Sequence, residues 1–418
     1  MHTDDPPPLD TAAFWQSARA QMILDPTIVN LNTGSFGPLP RPVFDRVTEL
    51  RRMLAAEPTH FFVRQAPSLL WHARERLSAF LGTIPTRLVF ATNVSAAINL
   101  VASGLTLSTP GEIVLTDHEY VAMHWVWERA AKRQGLTLRT FPLPTMAHSA
   151  AEIVAAATRA MTPRSRLFFF SHVLSPTGLV LPAKELCAEA RRRGIITVVD
   201  GAHAPAMIPL NVTDIGADFY TGNCHKWLLA PSGAGFLVIG PGNEDRLEPL
   251  HVSWGYRPNE YPLGEQGAGR PDPDQLDKFG STPRTRFLEF EGTRDIGPWL
   301  TVPDAIDFQA GIGVDRIRSR IAELVQYTRV RIGGLGLKPA TPSEPGLHGS
   351  MTAFELSFRG AAKAAALRQA IWKQRIEVPI VERPDRLLLR VSTHFYNTTE
   401  EIDRLAEVLP GALKEVPN

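Results

Sequence analysis

The chain has 418 residues, of which 44% are hydrophobic and 21% are charged, and its formal net charge is +1. A chain of this length can bury one large core and a smaller one, so two domains are expected. The near-neutral charge gives no electrostatic reason to expect a nucleic acid or an anionic membrane as a partner.

The N-terminal segment and the cysteines indicate the cellular setting. Residues 1–8 are polar and proline-rich, without the basic and apolar parts of a signal peptide. No apolar run approaches the roughly 20 residues of a membrane span. Cys187 and Cys224 are too few for a disulfide framework or a cysteine-based zinc site. We therefore expect a cytoplasmic protein without a membrane segment, and we assign no residue to a metal.

Strands and helices alternate along the first two-thirds of the chain. The pattern predicts strands at 87–90, 112–116, 166–171, 195–199 and 233–239, and helices from Ser95, at 121–132 and at 182–193. Repeated units of this kind predict a mostly parallel sheet with helices on both faces. Ligands of such sheets bind beyond the carboxyl ends of the strands, where Asp117, Ser171 and Asp200 are expected.

The last third of the chain has a different pattern. An irregular stretch from about Gly255 to Thr285 is long enough to be an active-site cover, an interface arm or disordered. A long helix is predicted from about Val302 to Ile332, followed by strands at 353–358 and 387–391 and helices at 361–373 and from Thr399. The predicted division is an N-terminal segment (1–30), a large domain (31–295) and a small domain (296–418).

One aspartate and one lysine predict the chemistry. Asp200 ends the apolar strand Ile195–Val199, and Lys226 follows one strand and turn later. Pyridoxal phosphate (PLP) stabilises a carbanion at a substrate Cα while its ring nitrogen stays protonated, which an aspartate beneath that nitrogen favours. Lys226 would bind the cofactor covalently, and burial by Trp227 or a charge on His225 would lower its pKa. An isolated pair of this kind would more often be a turn cap and a solvated lysine.

Longer motifs support the PLP interpretation. The chain resembles the class V aminotransferase family of PLP fold type I, which includes cysteine desulfurases, and within it the isopenicillin N epimerase-like branch. The resemblance runs from the motif Leu31–Pro38 to the motif Arg390–Thr398 and is most specific between Asp200 and Leu237. It implies an α/β fold with a mostly parallel, seven-stranded-type sheet between helices and a small C-terminal α/β domain. It also implies PLP as cofactor and a homodimer with shared active sites.

The resemblance assigns cofactor contacts to the first half of the chain. Val94 and Ser95, at a predicted helix start, inherit the phosphate-binding turn. His118 aligns with the ring that stacks on the pyridine, and Tyr120 is the competing candidate. Ser175 stands where many desulfurases place an asparagine against the 3'-oxygen, and its hydroxyl can still make one such hydrogen bond.

Further assignments by resemblance cluster around the lysine. His203 aligns with the residue on the 3'-oxygen side of the cofactor, and Asn223 and His225 align with phosphate ligands. Thr293, in the segment 291–295, resembles the residue that crosses from a second subunit to the phosphate, which would make a symmetric dimer obligatory. As a plain turn, that segment would need no partner.

The predicted catalytic residues are Lys226, Asp200 and His118, and three further residues are assigned to the substrate. Arg390 ends the apolar strand 387–389, and its guanidinium can bind an α-carboxylate through two parallel hydrogen bonds. Asn32 and Ser35 would reach the substrate from the N-terminal loop.

The reaction stays open among several possibilities. We place epimerisation first, a C–S lyase next and transamination third, and we keep an inactive binding module as a remote alternative. Residues 300–418 contain no cysteine, which argues against a sulfur-relay desulfurase. Candidates for a second acid in epimerisation are Tyr220, His225, His251 and Tyr256. The amino-acid-like substrate is not identified by any local motif.

Overall fold

The computed structural model describes residues 11–256 and 272–416. Much of the irregular stretch predicted between Gly255 and Thr285, namely residues 257–271, lies outside the described residues.

The strands are, in chain order, β1 (Val29–Asn30), β2 (Leu88–Ala91), β3 (Glu112–Thr116), β4 (Thr137–Phe141), β5 (Ser165–Ser171), β6 (Ile196–Gly201), β7 (Phe219–Asn223), β8 (Gly235–Ile239), β9 (Lys338–Pro339), β10 (Met351–Glu355), β11 (Ile376–Glu377), β12 (Ile380–Glu382) and β13 (Leu387–Ser392). The α-helices are α1 (Ala12–Ala20), α2 (Arg41–Ala56), α3 (Pro58–His60), α4 (Ala66–Leu81), α5 (Val94–Gly104), α6 (Val121–Gln134), α7 (Ala150–Ala160), α8 (Ala183–Arg192), α9 (Val212–Ile215), α10 (Pro283–Glu289), α11 (Gly297–Leu300), α12 (Val302–Ile312), α13 (Val314–Gly333), α14 (Ala361–Lys373) and α15 (Thr399–Lys414). A π-helical turn (Phe61–Gln65) precedes α4, and a 3₁₀ turn (Pro85–Arg87) precedes β2.

A seven-stranded sheet forms the centre of the large domain. Its order is β2-β8-β7-β6-β5-β3-β4. Strand β8 runs antiparallel to both of its neighbours, and the other neighbouring pairs are parallel. The predicted mostly parallel sheet is therefore confirmed. It includes β4, which the sequence pattern did not predict.

Strand β5 shows why the sheet is buried on both faces. Phe168 and Phe170 pack into a core with residues of α4 and α8, whereas Leu167 and Phe169 pack into a core with residues of α5 and α6. Successive strand side chains point to opposite faces, so a continuous apolar run suits a strand with helices on both sides. Each fully buried phenylalanine contributes roughly 2 kcal/mol of hydrophobic free energy.

The small domain has its own sheet and core. Its sheet is antiparallel with the order β12-β13-β10-β9. Helices α13 and α14 pack against this sheet, and α15 packs against both of these helices. The N-terminal strand β1 pairs in parallel with β11, and Val29 and Leu31 are buried in the small-domain core. The segment before the large domain is thereby attached to the small one.

The prediction of one helix from Val302 to Ile332 is wrong. Gly313 has φ +102° and separates α12 from α13. Glycine adopts this conformation at little steric cost, so the chain turns there. Helix α12 packs on α2 and α4 of the large domain, whereas α13 packs on β10 and α15 of the small one. The boundary predicted at 295/296 stays a prediction, and the packing partners change at Gly313.

The described residues contain neither a candidate membrane span nor a candidate metal site. Within residues 11–256 and 272–416, no helix is long and apolar enough to cross a membrane. In the same residues, no group of three or more His, Cys, Asp and Glu side chains could hold a metal ion.

Candidate active site

A cavity of about 310 Å³ lies beyond the carboxyl ends of β5, β6 and β7. In the sheet, Ser171 at the end of β5 pairs with Asp200 on β6, and Asp200 pairs with Thr221 on β7. The start of α5, the N-terminal loop and strand β13 close the other sides. The predicted site residues that line the cavity are Ser35, Val94, Ser95, Ser175, Asp200, His203, Asn223, His225, Lys226 and Arg390.

Lys226 has the electrostatic surroundings of a reactive amine. Its Nζ lies 3.2 Å from His203 Nε2. Burial, assisted by the positive charge of Arg390 and opposed by Asp200, lowers the pKa of Lys226 to about 8. A substantial fraction of the amine is therefore neutral just above pH 7, as a nucleophile or base requires.

The backbone of the N-terminal loop packs directly on the lysine. The Gly37 N–H donates to the carbonyl oxygen of His225 at 3.0 Å. A Cβ at Gly37 would lie 2.1 Å from the carbonyl oxygen of Lys226, so only glycine allows this approach. The loop that carries Ser35 is thus fixed against the lysine segment.

Asp200 and Arg390 are buried charged groups without a salt-bridge partner among the described residues. Both are 4% exposed, and no described residue forms a salt bridge with either one. Asp200 Oδ1 accepts the Ala202 N–H at 2.8 Å, and burial raises the pKa of this carboxyl group. Burial lowers the pKa of Arg390 to about 10. An uncompensated buried charge is costly, so each is a candidate for a charged ligand group.

Arg390 is oriented by residues from two segments, the loop after β5 and the N-terminal loop. Its Nη1 donates to the carbonyl oxygen of Ser175 at 2.6 Å and to Ser175 Oγ at 3.0 Å. Its Nη2 lies 3.4 Å from Asn32 Oδ1 and 3.5 Å from Ser35 Oγ. Asn32 does not line the cavity, but it contacts the guanidinium. The two predicted substrate residues of the N-terminal loop are therefore brought to Arg390.

The start of α5 offers an anion site. The Val94 N–H donates to Asn223 Oδ1 at 3.0 Å, and the Asn93 side chain caps the Ala96 N–H. The Ser95 N–H has no acceptor among the described residues. His225 also lines this wall, and burial lowers its pKa to about 4, so its ring is neutral near pH 7. A helix N-terminus with a free amide suits a phosphate.

Of the two candidates for the stacking ring, Tyr120 lines the cavity and His118 does not. His118 does not line the cavity, because its Nδ1 pairs with Asp117 Oδ1 at 2.6 Å and its Nε2 faces Arg386 at 3.4 Å. Tyr120, the competing candidate, lines the cavity and is 51% exposed. The catalytic and cofactor-contacting roles expected of His118 thus find no support in its position.

Other predicted residues lie outside the lining set. Thr293 is exposed and lines no described part of the cavity. Tyr220 does not line the cavity but is buried in the core that contains residues of α4 and α8, and its hydroxyl lies 2.9 Å from His172 Nδ1. His251 and Tyr256 do not line the cavity either. The two cysteines, Cys187 and Cys224, are buried.

Glu119, a buried carboxyl group behind the cavity wall, was not among the residues predicted from the sequence. Ser171, which lines the cavity, donates its N–H and its Oγ–H to Glu119 Oε2 at 2.9 and 2.6 Å. Thr116 Oγ donates to Glu119 Oε1 at 2.6 Å. Burial, assisted by the charge of Asp200, raises the pKa of Glu119 to about 7. No sequence signal marked it, because its partners depend on the adjacency of β3 and β5.

The donor set fits the predicted cofactor. The unpaired Asp200 can face a protonated ring nitrogen, the start of α5 can hold a phosphate, and Lys226 supplies the amine. The unpaired Arg390 remains for the carboxylate of a substrate. Together these groups complement PLP and an amino acid in one cavity.

Comparisons with known proteins agree with this geometry. A family model described as Aminotransferase class-V matches residues 29–405. The chain is 55% identical to an isopenicillin N epimerase of Amycolatopsis lactamdurans over 95% of this chain and 98% of that protein. It is also 55% identical to an isopenicillin N epimerase of Streptomyces clavuligerus over 96% of this chain and 99% of that protein.

The fold is similar to that of solved structures. C-DES with glycine covalently linked to its PLP cofactor matches with a TM-score of 0.80 and 23% sequence identity, covering 94% of this chain and 98% of that chain. This likeness concerns the fold, whereas the family model and the two epimerases concern the sequence. The resemblance read from the sequence motifs and the predicted cofactor are therefore confirmed, and the chain belongs to the class V aminotransferase family of pyridoxal phosphate enzymes.

Proposed function

We propose that this enzyme is an isopenicillin N epimerase, which inverts the configuration at an amino-acid Cα. Two relatives with this name are 55% identical to it over nearly its whole length. The structural observation that carries the proposal is that the buried, unpaired guanidinium of Arg390 faces the same cavity as the amine of Lys226. An α-carboxylate bound by Arg390 would place the neighbouring Cα within the cavity that Lys226 lines.

Different residues of the chain are proposed to bind different parts of the cofactor. When bound, PLP withdraws electrons from the substrate Cα and makes its C–H bond acidic. Asp200 would pair with the ring nitrogen, and the start of α5 with Asn223 and His225 would hold the phosphate. His203 and Ser175 would lie on the 3'-oxygen side. Tyr120, rather than His118, is proposed to stack on the ring, since Tyr120 lines the cavity.

Lys226 is proposed to move the proton at Cα. Its lowered pKa of about 8 lets Nζ take a proton near neutral pH. Among the earlier candidates for a second acid, His225 lines the cavity, but its pKa of about 4 makes it a poor proton donor at neutral pH. We therefore assign removal of the proton to Lys226 Nζ and its return to the same amine after it has moved to the opposite face of Cα, with the Tyr120 hydroxyl as the alternative acid on that face.

We also propose a homodimer in the cytoplasm, in which Thr293 of the partner subunit completes the phosphate site. This arrangement is supported by the exposure of Thr293 and by its absence from the residues that line the cavity of its own chain. Light scattering should give twice the chain mass of 46.1 kDa. A monomer with full activity would contradict the shared site.

The proposed reaction is tested with PLP-loaded enzyme and isopenicillin N in D₂O, followed by proton NMR and chiral chromatography. We expect the epimer to form with deuterium at Cα in only part of the molecules of the first turnover and with no other product, and we expect no exchange with Lys226→Ala. Epimer that retains part of its protium would support a single base, whereas full deuteration from the first turnover would favour Tyr120 as second acid. A keto acid with released thiol would overturn the proposal in favour of a lyase, and a keto acid alone in favour of a transaminase.

A further inference from the structure

Trp227, the residue after the reactive lysine, contacts His203, the histidine beside that lysine. Its side chain is fully buried, and its Nε1 lies 3.3 Å from His203 Nδ1. The ring also stacks on His394 with a centroid distance of 6.0 Å and an interplanar angle of 20°. The Trp227 carbonyl oxygen accepts from Gln309 Nε2 at 2.7 Å and lies 3.0 Å from His394 Nε2. Trp227 is therefore held at both its ring and its backbone.

The direction of the Trp227 hydrogen bond determines which nitrogen of His203 carries the proton. An indole N–H can only donate, so His203 Nδ1 must accept. Burial, assisted by the charges of Lys226 and Arg390, lowers the pKa of His203 well below its usual value, so the ring is neutral and has a single N–H. That N–H must then be on Nε2, the atom that lies 3.2 Å from Lys226 Nζ.

We propose that Trp227 is a positioning residue, which fixes His203 as its Nε2–H tautomer and thereby makes this ring a hydrogen-bond donor towards Lys226. A donor at this place favours the neutral amine of Lys226, since an ammonium group has no lone pair to accept with. Without the indole N–H, His203 could place its proton on Nδ1. Its Nε2 would then accept from the ammonium form and favour that form instead.

The inference rests on the proposed role of Lys226 as the reacting amine, but its first test does not involve turnover. Full-length protein labelled with ¹⁵N-histidine is studied by NMR, both with PLP and after its removal. The signals of His203 are assigned by their loss in His203→Gln. We expect the wild type to have the proton on Nε2 in both states, and Trp227→Phe to show a mixture of tautomers. A wild-type proton on Nδ1, or an unchanged tautomer in Trp227→Phe, would overturn the proposal.

The second test measures the apparent pKa of Lys226 from the pH dependence of its reductive methylation in the cofactor-free protein, followed by mass spectrometry. Loss of one hydrogen bond of about 1 kcal/mol should raise this pKa by roughly 0.5 to 1 unit in Trp227→Phe. Trp127→Phe is the matched control, since Trp127 is 1% exposed and its Nε1 has no partner among the described residues. It should leave the pKa of Lys226 unchanged.

A double-mutant cycle separates tautomer control from simple packing. Glutamine has no tautomers, and its amide can present a donor without help from Trp227. In the His203→Gln background, Trp227→Phe should therefore no longer shift the pKa of Lys226. An equal shift in both backgrounds would show that Trp227 acts through burial alone and would overturn the proposal. Failure to epimerise isopenicillin N, with these results intact, would count against the proposed function only.

Discussion

Arg390 of the small domain donates to the backbone carbonyl of Ser175 in the large domain at 2.6 Å, although no described carboxylate pairs with its guanidinium. Neutral oxygens orient the guanidinium and leave its charge uncompensated. A buried cation held in this way is expected where an anionic ligand completes the site. The same contact also joins β13 to the loop after β5. Arg390 therefore takes part both in the proposed ligand site and in the contact between the two domains.

Replacing Arg390 should affect function and stability in opposite ways. Arg390→Met is expected to lower kcat/KM for isopenicillin N by about 100-fold, since loss of a buried charged contact costs roughly 3 kcal/mol. The free protein should keep or gain thermal stability, because the variant removes an unpaired buried charge. Steady-state kinetics and thermal unfolding of the cofactor-free protein measure the two effects.

Arg284→Met is a matched control for this prediction. Arg284 pairs with Asp245 and Asp274, away from the cavity, so its loss should leave kcat/KM nearly unchanged. A marked loss of stability in Arg390→Met would contradict the view that this cation lacks a partner.

The ionisation of Lys226 should control cofactor uptake. The rate at which the cofactor-free protein combines with PLP should rise with pH through about 8 and then level off, because only the neutral amine reacts. Arg390→Met removes a positive charge that lowers the pKa of Lys226, so the profile should move to higher pH. Stopped-flow absorbance measures both profiles, and a rate independent of pH between 6 and 9 would show that the amine is already neutral.

The site residues that were predicted well are close to one another along the chain. The site residues of this region lie at or just after the ends of two neighbouring strands, so a correct strand order is enough to bring them together; they are Asp200, His203, Asn223 and Lys226. Arg390 lies far along the chain, and the family resemblance rather than local pattern placed it in the site. The apolar runs of the sheet were equally clear, because strands buried on both faces are continuously apolar.

Features that depend on one side-chain rotation or one backbone angle were not predictable. His118 and Tyr120 lie in one turn, and which of them faces the cavity depends on the pairing of His118 with Asp117. The helix predicted from Val302 to Ile332 included Gly313, whose φ of +102° ends α12. The hydrogen bond from Trp227 to His203 was likewise not predictable, because it depends on how the chain turns around Lys226.

Cofactor retention should distinguish Tyr120 from His118. Tyr120→Ala is expected to weaken PLP binding about fivefold to tenfold, since an aromatic stack contributes about 1 kcal/mol beyond its buried area. Tyr120→Phe should retain the affinity, because it keeps the ring, and its turnover tests the hydroxyl as an acid. His118→Ala should change the affinity less than Tyr120→Ala does. Equilibrium dialysis with PLP measures all three, and the reverse order would restore His118 as the stacking ring.

Glu119 should make the stability of the cofactor-free protein depend on pH. Its pKa is about 7 in the folded protein and near 4.5 when unfolded, so the folded state holds the extra proton between these values. Its contribution is therefore fully present below about pH 4.5 and is lost as the pH rises to 7, with a total on the order of 3 kcal/mol. Glu119→Gln can still accept from Ser171 but cannot ionise. Its free energy of unfolding by urea should fall less than that of the wild type between pH 5 and 8, and parallel curves would show that Glu119 is already ionised at pH 5.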